Sequence, residues 1–127
     1  MTDAAEELKK HLGRKREIKI SVIGRKSGAT ITIPVWFVLE GDELYLLPVY
    51  GSDTQWFKNL KKNPSLRISA GGWVGSFDPV LVRDPKVVKE VVEKFRAKYG
   101  AADVKKYYTK FDVAVRIPLG RPASAAA

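Results

Sequence analysis

A chain of 127 residues with 45% hydrophobic and 29% charged side chains has the composition of one folded domain, not of a disordered segment. It contains no cysteine, which excludes disulfides and thiolate chemistry, and no apolar run approaching the ~20 residues needed to span a bilayer. Twenty-three Lys and Arg against fourteen Asp and Glu leave a net charge of +9, which favours a polyanionic partner: nucleic acid, anionic lipid or a phosphorylated cofactor.

The acidic residues Asp3, Glu6 and Glu7 come early and no apolar block follows, so no signal peptide is expected and the expected location is the cytoplasm. Leu8 and Leu12 stand one helical turn apart in an N-terminal helix that ends by Gly13. Ile18 to Val22 alternates as a half-buried strand, and Arg25 to Gly28 is a turn. From Thr30 to Leu39, Ile31, Ile33, Val35, Phe37 and Leu39 share one face of a long strand. Gly41-Asp42 folds it back onto a strand running to Val49. Ser52-Asp53-Thr54-Gln55 has the pattern of a capping box for a short helix through Trp56, Phe57 and Leu60, which Asn63-Pro64 stops. Two strands, Leu66 to Ala70 and Trp73 to Val82, flank Gly71-Gly72. Asp84 at the N-cap and Pro85 at the first turn open a helix with Val87, Val88, Val91, Val92 and Phe95 on one face. A shorter helix is expected over Asp103 to Tyr108, then a closing strand from Phe111 to Ile117. The Ala-rich stretch 119–127 reads as a disordered tail on a single domain spanning 1–118. Six strands joined by tight turns, with three or four helices, predict a mainly β, α+β fold: a small antiparallel barrel with peripheral helices.

Side-chain catalytic sets are missing. His11 is the sole histidine, so a zinc site is not expected and the metal assignment is none. No dinucleotide fingerprint, phosphate-binding Walker sequence or nucleophile elbow is present. If the chain is an enzyme, a cofactor should carry the hard step. The Gly24-Arg25-Lys26-Ser27-Gly28 turn is the best anion site, because its glycines let backbone amides converge beside two cations. Read as one hairpin about Gly41-Asp42, the strands bring Pro34 and Pro48 to within a residue of facing each other. Prolines cannot donate to the ladder, so a gap in the pairing is expected there: either an edge or bulge, or a rim where a planar ligand meets backbone. Trp36, Tyr45, Tyr50, Trp56 and Trp73 supply aromatic surface to a core or to such a ligand. A basic nucleic-acid-binding module and a cofactor-free carrier remain open, although the lysines are spread over several elements and no ribonucleoprotein-type motif occurs.

The turn Gly24 to Gly28, the segment Thr32-Ile33-Pro34, Gly41-Asp42, Tyr50-Gly51 and the run Trp56-Phe57-Lys58-Asn59-Leu60-Lys61-Lys62-Asn63-Pro64 together resemble the deazaflavin-dependent nitroreductase family. The resemblance covers residues 18 to 118. It implies a split β-barrel, a homodimer, and hydride transfer from the reduced 8-hydroxy-5-deazaflavin coenzyme F-420 to a quinone, enone or nitro compound. It implies that Arg25, Lys26 and Ser27 meet phosphate. Thr32, Pro34, Pro48, Val49, Tyr50 and Gly51 would line the ring or its linker, with Trp56 in the cofactor-binding set. Tyr50 would contact substrate and ring without being an essential acid. The segment Pro34-Val35-Trp36-Phe37 is also similar to the pyridoxamine-phosphate-oxidase-like branch, whose members use FMN, deazaflavin, haem or biliverdin-type ligands. FMN therefore stands as the alternative cofactor.

Overall fold

The computed structural model describes residues 10, 12, 15–70 and 73–119. The proposed N-terminal helix, His11, Gly71-Gly72 and the stretch 120–127 fall outside these residues, apart from Lys10 and Leu12, both helical. Eight strands form two four-stranded antiparallel sheets. The strands are β1 (Glu17–Ile23), β2 (Thr30–Trp36), β3 (Val38–Glu40), β4 (Glu43–Leu46), β5 (Leu66–Ala70), β6 (Trp73–Phe77), β7 (Val80–Val82) and β8 (Ala114–Pro118). The first sheet has the order β2-β1-β5-β6 and the second β3-β4-β8-β7. Among the described residues, α-helices accompany them at α1 (Gln55–Lys62), α2 (Pro85–Tyr99) and α3 (Ala101–Tyr107). This is the expected split-barrel architecture with peripheral helices. The strand count rises from six to eight because two long strands each divide and cross from one sheet to the other, at Phe37 and at Asp78-Pro79.

The break at Phe37 corrects the single-hairpin reading. The register about Gly41-Asp42 is as expected, pairing Val38 with Tyr45 and Glu40 with Glu43, but it stops at Val38. Pro34 pairs instead with Lys19 of β1, on an edge strand where a missing amide costs no ladder bond. It does not face Pro48. The amide and carbonyl that Phe37 withdraws from the ladders are met by α2. The Tyr99 hydroxyl accepts from Phe37 N at 3.0 Å and shares its proton between Phe37 O at 2.8 Å and Arg16 O at 2.6 Å. The Lys98 ammonium donates to the same Phe37 carbonyl at 2.8 Å. A buried backbone group left unpaired costs about 1–3 kcal/mol, so these two side chains make the crossing tolerable.

Two apolar clusters result. Ile18, Ile20 and Val22 of β1, Leu66 and Ile68 of β5, Leu44 and Leu46 of β4, Val115 and Ile117 of β8, and Phe57 and Leu60 of α1 fill the space between the sheets. Val88, Val91, Val92, Phe95 and Tyr99 of α2 bury the opposite face of the second sheet at Val38 and Ala114. Each such large side chain stabilises by about 1.5–3 kcal/mol on burial. The Asp84 carboxylate caps α2 by accepting from Lys86 N, as the sequence predicts. The capping box at Ser52 and Gln55 does not form. Residues Gly51–Asp53 make a 3-10 turn, Thr54 is the N-cap of α1, and Ser52 and Gln55 bond elsewhere. Leu119, read as the first residue of the tail, is buried and its amide donates to Asp42 O. Among the described residues no helix is long and apolar enough to cross a membrane.

Lys98 gives the crossing a pH signature. Its ammonium sits 3.5 Å from the centre of the Phe37 ring, and burial, then the Arg16 charge, push it down to about 8. A lysine lowered on folding destabilises the native state while both states are charged, and this penalty fades as pH rises from about 8 towards its ordinary 10.5. Tyr45, pushed up to about 12 by burial and by Glu43, acts in the opposite sense above pH 10. The urea midpoint is therefore expected to climb from pH 8 to about 10 and then fall. In Lys98→Met the climb should vanish; a climb of undiminished size would refute the assignment.

Candidate functional site

A cavity of about 570 Å³ opens where the first sheet, the loop after β4, and the helices α1 and α3 meet. Ile33 to Trp36 of β2 form one wall, beside Glu17 at the start of β1. Leu47, Val49 and Tyr50 come from the loop after β4, Thr54 and Trp56 from the start of α1, and Tyr107 and Tyr108 from the end of α3. The volume falls within the roughly 300–1,000 Å³ usual for small-molecule sites. Its aromatic frame is fixed. Trp36 stacks on Tyr99 at 4.2 Å with the rings 7° apart, and meets Tyr107 edge-on at 5.5 Å. Burial, followed by the neighbouring Tyr99, pushes the Tyr108 hydroxyl well above its ordinary range, so it is a neutral phenol across physiological pH.

The loop carrying Tyr50 is tied down on both sides. Tyr50 N donates to Thr54 Oγ1 at 2.9 Å, and Thr109 N donates to Val49 O at 2.9 Å. The Asp112 carboxylate accepts from both the amide and the hydroxyl of Ser52. Burial opposes ionisation of Asp112, but those bonds and Lys110 outweigh it and hold its carboxyl below the usual carboxylate value. Gly51 adopts φ +57°, and a Cβ placed on it would lie 2.1 Å from Asp112 Oδ1. Glycine is required here for both conformation and space.

The basic turn packs against α1 through Arg25. Gly24 N donates to Ala29 O and Gly28 N to Gly24 O, closing the turn. Arg25 is braced against the helix. Its amide and its Nη1 both donate to Asn59 Oδ1, at 3.1 and 2.8 Å, and Nη2 donates to Gln55 Oε1 at 2.8 Å. These acceptors are neutral amides, so the guanidinium is oriented without its charge being cancelled. Gln55 stands between Thr54 and Trp56, both on the cavity wall, so one helical turn links the oriented cation to the cavity. Lys26 is exposed, and Ser27 Oγ accepts from Ala29 N.

Of the residues singled out from sequence, Pro34, Trp36, Val49, Tyr50 and Trp56 share the cavity wall. Gly51 adjoins it in the loop. Arg25, Lys26 and Ser27 gather in the turn. Thr32 lies exposed on β2, its hydroxyl 2.8 Å from that of Ser21, and Pro48 is buried off the wall. Sequence reasoning missed Glu17, Thr54, Tyr107 and Tyr108 as wall residues, and Asn59 and Gln55 as the brace for Arg25. The adjacent tyrosines at the end of a short helix were the available signal for the first group. The spacing Gln55-x-x-x-Asn59, which puts both amides on one helix face, was the signal for the second. Among the described residues no group of His, Cys, Asp or Glu could hold a metal ion.

The profile of "Uncharacterized protein conserved in bacteria (DUF2255)" matches residues 7–116. No curated protein matches the chain. Solved structures share its fold at low identity. A conserved hypothetical protein from Mycobacterium tuberculosis is 19% identical, with a TM-score of 0.67 over 100% of this chain and 92% of that one. The haem storage protein HutZ from Vibrio cholerae is 14% identical, with a TM-score of 0.67 over 93% and 89%. An F420-H2-dependent reductase is 17% identical, with a TM-score of 0.63 over 81% and 94%.

Proposed function

The chain belongs to the DUF2255 family, and for this member we propose a reductase that binds a flat, phosphate-bearing redox cofactor and delivers hydride to an electrophilic acceptor such as a quinone, enone or nitro compound. The observation that carries the reading is the brace on Arg25. A guanidinium held by two neutral amides beside an aromatic cavity suits a ligand with a planar ring at one end and an anion at the other. The residues fit such a group. Arg25, Lys26 and Ser27 would take the phosphate; Pro34, Val49, Tyr50 and Trp56 would flank the ring. Gly51 would let the loop backbone approach it. Thr32 and Pro48 would frame the site from outside the wall. When bound, the reduced cofactor supplies the hydride.

The protein's own task is positioning. The cavity wall offers a mostly apolar surface, and the stitched loop fixes Tyr50 at its mouth. Tyr50 is the most exposed aromatic residue on that wall, at 57%, which suits contact with substrate and leaves protonation of the product to water. Deazaflavin is the first choice because Lys58, Lys61 and Lys62 on α1 follow the Arg25 brace and could answer a carboxylate-rich tail. FMN is the second.

Visible absorbance of the protein titrated with deazaflavin and with FMN tests the proposal. One of them should saturate, and light scattering of the loaded protein is expected to show a homodimer. Replacing Arg25 and Lys26 together with alanine should weaken binding more than about tenfold, since charge-assisted bonds contribute about 1.5–3 kcal/mol each. Equal affinity in the double variant, or no binding of either cofactor, overturns the reading.

A further inference from the structure

A second cavity, of about 450 Å³, lies between β3 and α2 and shares no wall residue with the first. Phe37, Leu39 and Ala97 give it apolar sides, and Lys94 and Glu40, also on its wall, pair with each other at 2.5 Å. Lys98 completes the wall. It is solvent-accessible, yet its nitrogen lies 3.5 Å from the centre of the Phe37 ring and donates to Phe37 O at 2.8 Å. Among the described residues no carboxylate pairs with it, and the charge that bears on it is the cation Arg16. An amine in that setting gives up its proton readily and becomes a nucleophile, whereas a lysine paired with a carboxylate stays an ammonium. The surroundings also suit a product. A carbonyl carbon that condenses with this nitrogen leaves an iminium ion, which keeps a positive charge for the ring face and one N–H for the Phe37 carbonyl. An amide formed from an acyl donor would discard the charge.

We propose that Lys98 is a covalent capture site for an aldehyde on a compact apolar body seated in this cavity. The free amine adds to the carbonyl carbon, the carbonyl oxygen leaves as water, and the imine takes up one proton at nitrogen. Hydrolysis reverses the step, and nothing is oxidised or reduced. The site stands apart from the reductase reading and does not depend on it.

The full chain is treated with limiting benzaldehyde or formaldehyde at about pH 7.5, cyanoborohydride fixes the imines as secondary amines, and peptide mass spectrometry reads each lysine. Lys98 should be alkylated at least about tenfold faster than the exposed Lys61 and Lys62. Its rate should level off above about pH 8, where the amine is already free. Ala97→Phe changes an exposed helical position on the cavity wall. It should slow the benzaldehyde reaction at Lys98 about tenfold and leave that of formaldehyde within about twofold, because filling the cavity excludes only the larger reagent. Labelling at Lys98 no faster than at Lys61 overturns the proposal. So does benzaldehyde labelling that Ala97→Phe leaves unchanged, since the amine would then be reactive without the cavity receiving anything.

Discussion

Gly51→Ala is expected to lower stability by about 3 kcal/mol, or roughly 10 °C in Tm for a chain of this size. The left-handed backbone conformation alone costs a residue with a Cβ about 1–2 kcal/mol. The remainder comes from Asp112, whose Oδ1 would lie 2.1 Å from the new carbon and must give up its bonds to Ser52. Gly28 supplies the control. It has φ +73° but nothing within 4 Å of an added Cβ, so Gly28→Ala should show the conformational cost alone. Thermal unfolding of both variants decides the matter. Equal losses would show that the contact with Asp112 is unimportant. The loss at Gly51 should also appear in ligand binding, because the same loop positions Tyr50 and Val49 on the cavity wall.

The second large effect lies at Asn59, which is 4% exposed and accepts two bonds from Arg25. Asn59→Leu should cost about 2–3 kcal/mol, since it leaves the Arg25 amide and one guanidinium nitrogen without their acceptor. It should also weaken cofactor binding by about tenfold through loss of the arginine's orientation. Asn59→Asp separates the two roles. It keeps an acceptor of the same shape, so the protein should remain folded at 25 °C. Its charge, however, neutralises Arg25, and affinity for a phosphorylated cofactor should fall as far as in Asn59→Leu. Urea unfolding and absorbance titration on the pair measure this. An Asp variant that binds as tightly as the parent would mean that Arg25 does not meet the anion.

Much of the fold was legible because it depends on neighbours in sequence. The Gly41-Asp42 turn fixes the register of β3 and β4, and Asp84-Pro85 fixes the start of α2; both follow from residues within a few positions. What escaped was set from a distance. The long strand divides at Phe37 because Tyr99 and Lys98, some sixty residues later, satisfy its backbone. Ser52 and Gln55 have the local chemistry of a capping box, yet Asp112 and Arg25 outcompete it. In the candidate site, Tyr50 and Trp56 were visible as aromatics beside a glycine loop and a capped helix. Glu17 and Tyr107 were not, because only the tertiary fold brings the first strand and the third helix to one cavity.

The place of β8 bears on how the molecule assembles. Every strand of the first sheet lies between Glu17 and Phe77, so that sheet has all its partners early in vectorial synthesis. The second sheet does not, because β8 is an inner strand, flanked by β4 and β7, and Leu44 must wait for Ile117. Until β8 emerges, β4 and β7 each present an unsatisfied edge, the condition under which nascent chains pair wrongly or recruit a chaperone. Pulse-labelled hydrogen exchange during refolding should find the local β3–β4 hairpin and the β1, β2, β5 and β6 amides protected before those of β7 and β8, the order of closure following sequence separation. If β7 and β8 gain protection first, this assembly order is wrong.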